Sequence, residues 1–92
     1  MLMVKFILGE DRHIKFLVHS NKNEHFEISE ASWELLKAGK VEQSGACVVS
    51  VENEKNYLDI KLSPRQLGTY HLMLTYTVGD EIIKNKEEVW VD

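Results

Sequence analysis

The chain has 92 residues, enough for one domain around one core and too few for two. Its 43% hydrophobic and 28% charged residues are ordinary for a folded chain and exclude a disordered one. With 15 acidic against 11 basic residues, a net charge of −4 and no basic block, it lacks the clustered Lys and Arg that phosphates reward, so nucleic acid is not an expected partner.

The opening run Met1-Leu2-Met3-Val4-Lys5-Phe6-Ile7-Leu8 is short for a signal peptide and is interrupted by Lys5. It reads as a first strand, Met3 to Leu8, followed by a turn at Gly9-Glu10-Asp11. No apolar run approaches the ~20 residues that span a bilayer, so no membrane partner is expected. A second strand, His13 to His19, puts Ile14, Phe16 and Val18 on one face and His13, Lys15, Leu17 and His19 on the other. Ser20 to Glu24 is a polar loop, and Phe26 and Ile28 lead into a third strand.

Residues 29–39 admit two readings. Ser29 could cap a short helix and Gly39 could end it. As a strand, the segment alternates Ala31, Trp33 and Leu35 against Ser32 and Glu34. Its neighbours are strands, so strand is preferred. A fourth strand, Ala46 to Val51, has Cys47, Val49 and Val51 in phase. After a charged turn at Glu52 to Asn56, Tyr57 to Leu62 turns Leu58, Ile60 and Leu62 inward and Asp59 and Lys61 outward. Pro64 separates this strand from a long closing hairpin, Gln66 to Val91, with its turn at Gly79-Asp80.

A two-residue turn there sets Tyr76 opposite Ile83 and Tyr70 opposite Val89. The same register places Asn85 opposite Leu74 and Glu87 opposite Leu72, polar residues on an inward face. A bulge, or an end of pairing, is expected between Asn85 and Glu87. Regular turn signals and one-face alternation together indicate an all-β, immunoglobulin-like antiparallel sandwich of about seven strands, one domain over residues 1–92.

The lone cysteine, Cys47, excludes an intrachain disulfide, so the sandwich is held by packing. This suits an intracellular origin, such as a bacterial cytoplasm or a particle assembled in one. Within its alternating run Cys47 reads as a small buried hydrophobe. His13 and His19 share a face but lie roughly 20 Å apart along a strand, too far to bind one metal. No metal site or cofactor is expected. No Gly-x-Ser-x-Gly, His-Glu-x-x-His or phosphate-binding glycine loop occurs, and no catalytic residue is assigned.

Trp33 is read as a core tryptophan, and Tyr70, after Gly68, as a corner tyrosine whose hydroxyl bonds nearby backbone. Trp90 differs in parity from Val89 and Val91, so either it or they face outward. If outward, Trp90 beside Ile82 makes an apolar contact patch. Trp90, Ile82 and Tyr57 are the candidate interaction surface. In a carbohydrate- or ligand-binding module, the alternative, Trp90, Tyr57 and the loop Ser20 to His25 would hold the ligand.

Several stretches carry a family likeness. They are the Gly9-Glu10-Asp11 turn, the entry Ile28-Ser29-Glu30-Ala31 into Trp33, Gly45 before the fourth strand, Gly68-Thr69-Tyr70, and the hairpin Thr75-Tyr76-Thr77-Val78-Gly79-Asp80-Glu81. With these the chain resembles the small immunoglobulin-like domains of tailed-phage and prophage structural proteins, such as the N-terminal domain of the baseplate upper protein. The resemblance implies a non-enzymatic structural module of a tail, baseplate or neck. It also implies other phage structural proteins or further copies of itself as partners, and a location in the bacterial cytoplasm or the virion.

Overall fold

The structure, a computed structural model, describes residues 3–18 and 26–92. It is an all-β sandwich of two sheets. The strands are β1 (Met3–Phe6), β2 (Arg12–Val18), β3 (Ile28–Lys37), β4 (Lys40–Ala46), β5 (Val48–Glu52), β6 (Lys55–Leu62), β7 (Gly68–Val78) and β8 (Glu81–Val91). The larger sheet runs β1-β8-β7-β3-β4 and the smaller β2-β6-β5. All neighbours are antiparallel except β1 and β8. This is the immunoglobulin-type division of strands, with β4 extending the larger sheet.

Eight strands replace the expected seven. The addition is β4, Lys-Val-Glu-Gln-Ser-Gly-Ala, which carries one large apolar residue and buries none of its own. An edge strand covered by little has no reason to alternate, so periodicity passes over it.

Residues 29–39 form a strand into Lys37 and then a turn. Ala38 and Gly39 both have positive φ, 51° and 78°. Two successive residues in that region make the type I′ turn that matches strand twist. Gly39 therefore closes a hairpin where it would otherwise have ended a helix. Asn53 and Glu54, at 49° and 65°, make a second such turn, so β6 starts at Lys55 and not at Tyr57.

Trp33, Leu35, Tyr70, Leu72, Leu74, Tyr76, Val89 and Val91 from one sheet meet Leu58, Ile60 and Leu62 from the other, with Phe6, Val18 and Cys47 at the margins. β6 buries every second residue through Leu62, and its Asn56 side chain, also buried, donates to the Phe26 carbonyl at 3.0 Å. A buried amide needs such a partner, because leaving it bare costs about 1–3 kcal/mol. Val51, in phase with Cys47, is 61% exposed, because β5 is an edge strand and passes beyond the cover of the opposite sheet.

The closing hairpin corrects one expectation. Pairing runs without interruption from Gly68↔Val91 to Val78↔Glu81, through Leu74↔Asn85 and Leu72↔Glu87. There is no bulge. Five strands cannot be fully covered by three, so the middle of β8 lies outside the apolar contact. Asn85 is exposed there and donates to the Tyr76 hydroxyl at 3.1 Å, and Glu87 is only half-buried. Bulges occur in other places, between Ile28 and Glu30 and opposite Leu35/Leu36.

Trp33 lies across the strand from Gly45. A Cβ on Gly45 would stand 3.1 Å from the indole Nε1 and 3.2 Å from two ring carbons. The glycine is thus the slot that lets the indole lie flat over β4. Gly45→Val is expected to destabilise the fold by about 1–3 kcal/mol, the cost of overpacking. Denaturant titration followed by tryptophan fluorescence and circular dichroism checks this; an unchanged midpoint refutes it.

Candidate functional site

Two adjoining features stand out at one end of the sandwich: a polar corner built on Tyr70, and an apolar pole beside it. The Tyr70 side chain is fully buried, and its hydroxyl emerges at the β6–β7 connection. It accepts from the Gln66 backbone N–H at 3.0 Å and lies 2.8 Å from both carboxylate oxygens of Glu42, to which it donates. The same carboxylate accepts from the Gln66 side chain at 3.0 Å and the Arg65 N–H at 3.4 Å. Next along β4, Gln43 donates to the Ser63 carbonyl at 2.6 Å. Two consecutive residues of a regular strand point to opposite faces. Here Leu35 pairs with Gln43 and Leu36 with Val41, leaving Glu42 as the extra residue of a bulge. The bulge turns both side chains onto one loop.

Lys37 completes the corner. Its ammonium donates to the Leu67 carbonyl at 2.8 Å and sits 5.2 Å from the Tyr70 ring centroid, within cation–π range. Gly68, at φ 106°, lies beneath it, and a Cβ there would come within 2.6 Å of Nζ. Position 68 therefore favours glycine for its backbone, and any side chain there would also have to displace the Lys37 ammonium.

The pole follows from the register. Phe6 and Gly68 both flank Val91, so the chain leaves β1 and enters β7 at the same end. Leu8 N–H donates to the Asp92 carbonyl at 2.9 Å, and Asp92 N–H to the Phe6 carbonyl at 3.0 Å, which fixes Ile7 and Leu8 there. Ile7, Leu8 and Leu67 are 65%, 45% and 59% exposed. Beside them an open depression of about 380 Å³ is lined by Leu8, Gly9, Glu10, Ser63, Pro64 and Arg65.

The three residues singled out as a contact surface are not brought together. Trp90 and Ile82 both face outward from the larger sheet, 37% and 70% exposed. They are eight positions apart on β8, about 27 Å along a strand, so they form no common patch. Trp90 lies near the pole, and its indole N–H donates to Asp92 at 2.6 Å. Tyr57 faces outward from the smaller sheet, on the opposite side of the molecule. His19 and the loop Ser20 to His25 lie outside the described residues. Among the described residues no cluster of three or more His, Cys, Asp or Glu is placed to hold a metal ion, and no helix is long and apolar enough to cross a membrane.

No protein-family model and no curated protein matches the chain. Among solved structures, an engineered protein that was a Northeast Structural Genomics Consortium target is similar, with a TM-score of 0.72 at 13% identity. The match covers 97% of this chain and 18% of that one, so the chain spans less than a fifth of its neighbour's length. This likeness shows the sandwich fold.

Two expectations follow. Burial and the hydrogen bond to Glu42 raise the Tyr70 phenol above its ordinary value of 10.0. A raised folded-state pKa favours the neutral phenol, so this contribution is full below pH 10 and is lost as pH rises through the folded value. Tyr70→Phe and Glu42→Gln should each cost about 1–3 kcal/mol at neutral pH. The double variant should cost less than their sum, and Tyr70→Phe should flatten the alkaline fall in stability. Additive losses in a denaturation cycle would dissolve the pairing.

Burial pushes the Cys47 thiol up to about 11. The thiolate, the reactive form, is therefore scarce at pH 8, roughly one molecule in a thousand. Modification by an aromatic disulfide reagent should proceed only as fast as the domain opens, and should accelerate together with unfolding in denaturant. Rapid labelling of the native protein would contradict burial.

Proposed function

We propose that the chain is a non-enzymatic structural and assembly module of a phage or prophage particle, placed in a tail, baseplate or neck. It is made in the bacterial cytoplasm, and its partners are other structural proteins of the particle. The observation that carries the reading is the pole. Ile7, Leu8 and Leu67 are large apolar side chains held on ordered backbone at one end of a rigid sandwich, with a depression and the Arg65 side chain next to them. Single exposed apolar residues are ordinary on a protein surface, but three gathered at one end suit a protein–protein contact. The likeness of Gly9-Glu10-Asp11 and Gly68-Thr69-Tyr70 to phage sandwich domains supports the same end of the molecule as the one used, since these residues frame it.

Purified particles from an induced culture of the source bacterium, resolved on a density gradient, test this. The chain is expected to co-sediment with them at a fixed stoichiometry. A variant carrying Leu8→Glu and Leu67→Glu, with unchanged circular dichroism and thermal transition, should remain in the soluble fraction. A wild-type chain absent from every particle fraction would sink the proposal.

A further inference from the structure

The outer faces of the two sheets treat their charges differently. On the smaller sheet most of them find partners within the chain: Lys15 pairs with Glu52 at 3.0 Å, Lys61 with Asp11 from the turn before β2 at 3.4 Å, and Asp59 is hydrogen-bonded to His13 Nδ1 at 2.8 Å. On the larger sheet they are separated into stripes. Leu72 and Leu74 point inward, so Met73, Thr75 and Thr77 of β7 point outward. Register then places Glu30 beside Thr77, Ser32 beside Thr75 and Glu34 beside Met73 on the β3 side. On the β8 side it places Ile82, Lys84 and Lys86 beside the same three residues. Over these three rows β3 thus carries the acids Glu30 and Glu34 and β8 the bases Lys84 and Lys86, with an uncharged strip of Thr77, Thr75 and Met73 between them; in the next row, at His71, β8 continues with the half-buried Glu88 and β3 with Leu36. The stripes lie two strand spacings apart, about 10 Å. Glu30, Glu34, Lys84 and Lys86 are all exposed, and none of the ion pairs among the described residues involves them.

This pattern is complementary to itself under one operation. A two-fold axis parallel to β7, midway between two facing copies, lays β8 of one copy over β3 of the other. Each residue keeps its level along the strands. Lys86 then falls over Glu34 of the second copy, and Lys84 falls between its Glu30 and Glu34; symmetry repeats both contacts. Met73 meets its own counterpart on the axis, between the two Lys86–Glu34 pairs; in the row of Thr77 Ile82 falls over Glu30, and in the row of His71 Glu88 falls over Leu36, so the opposite charges meet in the middle rows. An axis across the strands would instead stack β3 on β3, acid on acid. Facing sheets sit about 10 Å apart, a gap that a lysine and a glutamate bridge together. Four strands of this face span roughly 19 by 30 Å, close to 600 Å² of flat area. Side-chain relief brings that near the ~800 Å² per partner of a stable interface.

We propose that the chain forms a symmetric dimer through the outer face of its larger sheet, with a second copy of itself as the partner. This deepens the assembly reading by naming one partner. Its test uses the purified chain and no particle, so either proposal can fail without the other.

Sedimentation velocity of the full chain across micromolar to millimolar concentration should show a monomer–dimer equilibrium that weakens as salt is raised. Lys86→Glu and Glu34→Lys should each weaken dimerisation by about tenfold or more, since each sets like charges opposite one another. The double variant should recover the dimer. So should an equimolar mixture of the two single variants, because each supplies the charge that the other lacks. Lys84→Glu with Glu30→Lys repeats the swap one row away, should either first variant fail to fold by circular dichroism. A wild-type chain that stays monomeric at all concentrations overturns the proposal. So does a dimer indifferent to these reversals, which would place the contact at the pole or at the β5 edge.

Discussion

The contact of Leu58, Ile60 and Leu62 with Trp33, Leu35, Leu72 and Leu74 is the constraint on which the remaining structure depends. One cysteine excludes a covalent tie between the sheets, so apolar burial is the main force that holds them face to face. Each of these side chains is almost wholly buried, and each stabilises the fold by about 1.5–3 kcal/mol relative to exposure. That gain is available only where one sheet lies over the other. A three-stranded sheet fixes how much of a five-stranded one can be dry. β7 alternates buried and half-buried residues from Tyr70 to Thr77 because it runs through the centre of the contact. β8 does so only at Val89 and Val91, and its middle, at Asn85 and Glu87, is free to be polar.

The same mismatch gives β4 its role. It buries no side chain of its own, yet it carries the slot at Gly45 for Trp33 and the two side chains that tie the β6–β7 connection to the larger sheet. In a sandwich without a cross-link, that connection is where the chain passes between sheets, and Tyr70, Glu42 and Lys37 brace it from three strands. A buried phenol that donates to a carboxylate is stronger than a neutral pair, about 1.5–3 kcal/mol against ~1. The brace is therefore a substantial part of what a covalent bridge would otherwise supply.

How much of this was legible in the sequence follows from the same physics. Burial on one face imposes a period of two, and Leu58, Ile60 and Leu62, or Tyr70, Leu72, Leu74 and Tyr76, announce their strands and the hairpin register. β4 imposes no period, so alternation does not mark it. Its Glu42 has no local signal at all: a glutamate between Val41 and Gln43 reads as one more surface charge, and only a bulge set by a distant pairing aims it at Tyr70. The bulge that was expected, at Asn85 to Glu87, assumed that every inward position of the larger sheet is covered. Alternation reports which residues share a face; it does not report how far the opposite sheet extends. The candidates Trp90, Ile82 and Tyr57 lie apart for a related reason, since exposure can be read from parity but adjacency across about 27 Å of strand, or across the sandwich, cannot.

The pole and the striped face are separate surfaces, and their geometry relates them. An axis parallel to the strands leaves direction along the strands unchanged, so in the proposed dimer both poles point the same way. With sheets spaced about 10 Å, the two sandwich centres lie about 20 Å apart. Two copies of Ile7, Leu8 and Leu67 would then present side by side to whatever the pole contacts. A second contact made within an already formed complex costs far less freedom than the first, so paired weak poles can hold a partner that one pole releases. The arrangement requires the face to be used up in pairing while the pole stays open. The charge pattern meets that requirement, because Lys86 and Glu34 sit in the same row as Met73, toward the centre of β7 and several residues away from Leu67 and the pole.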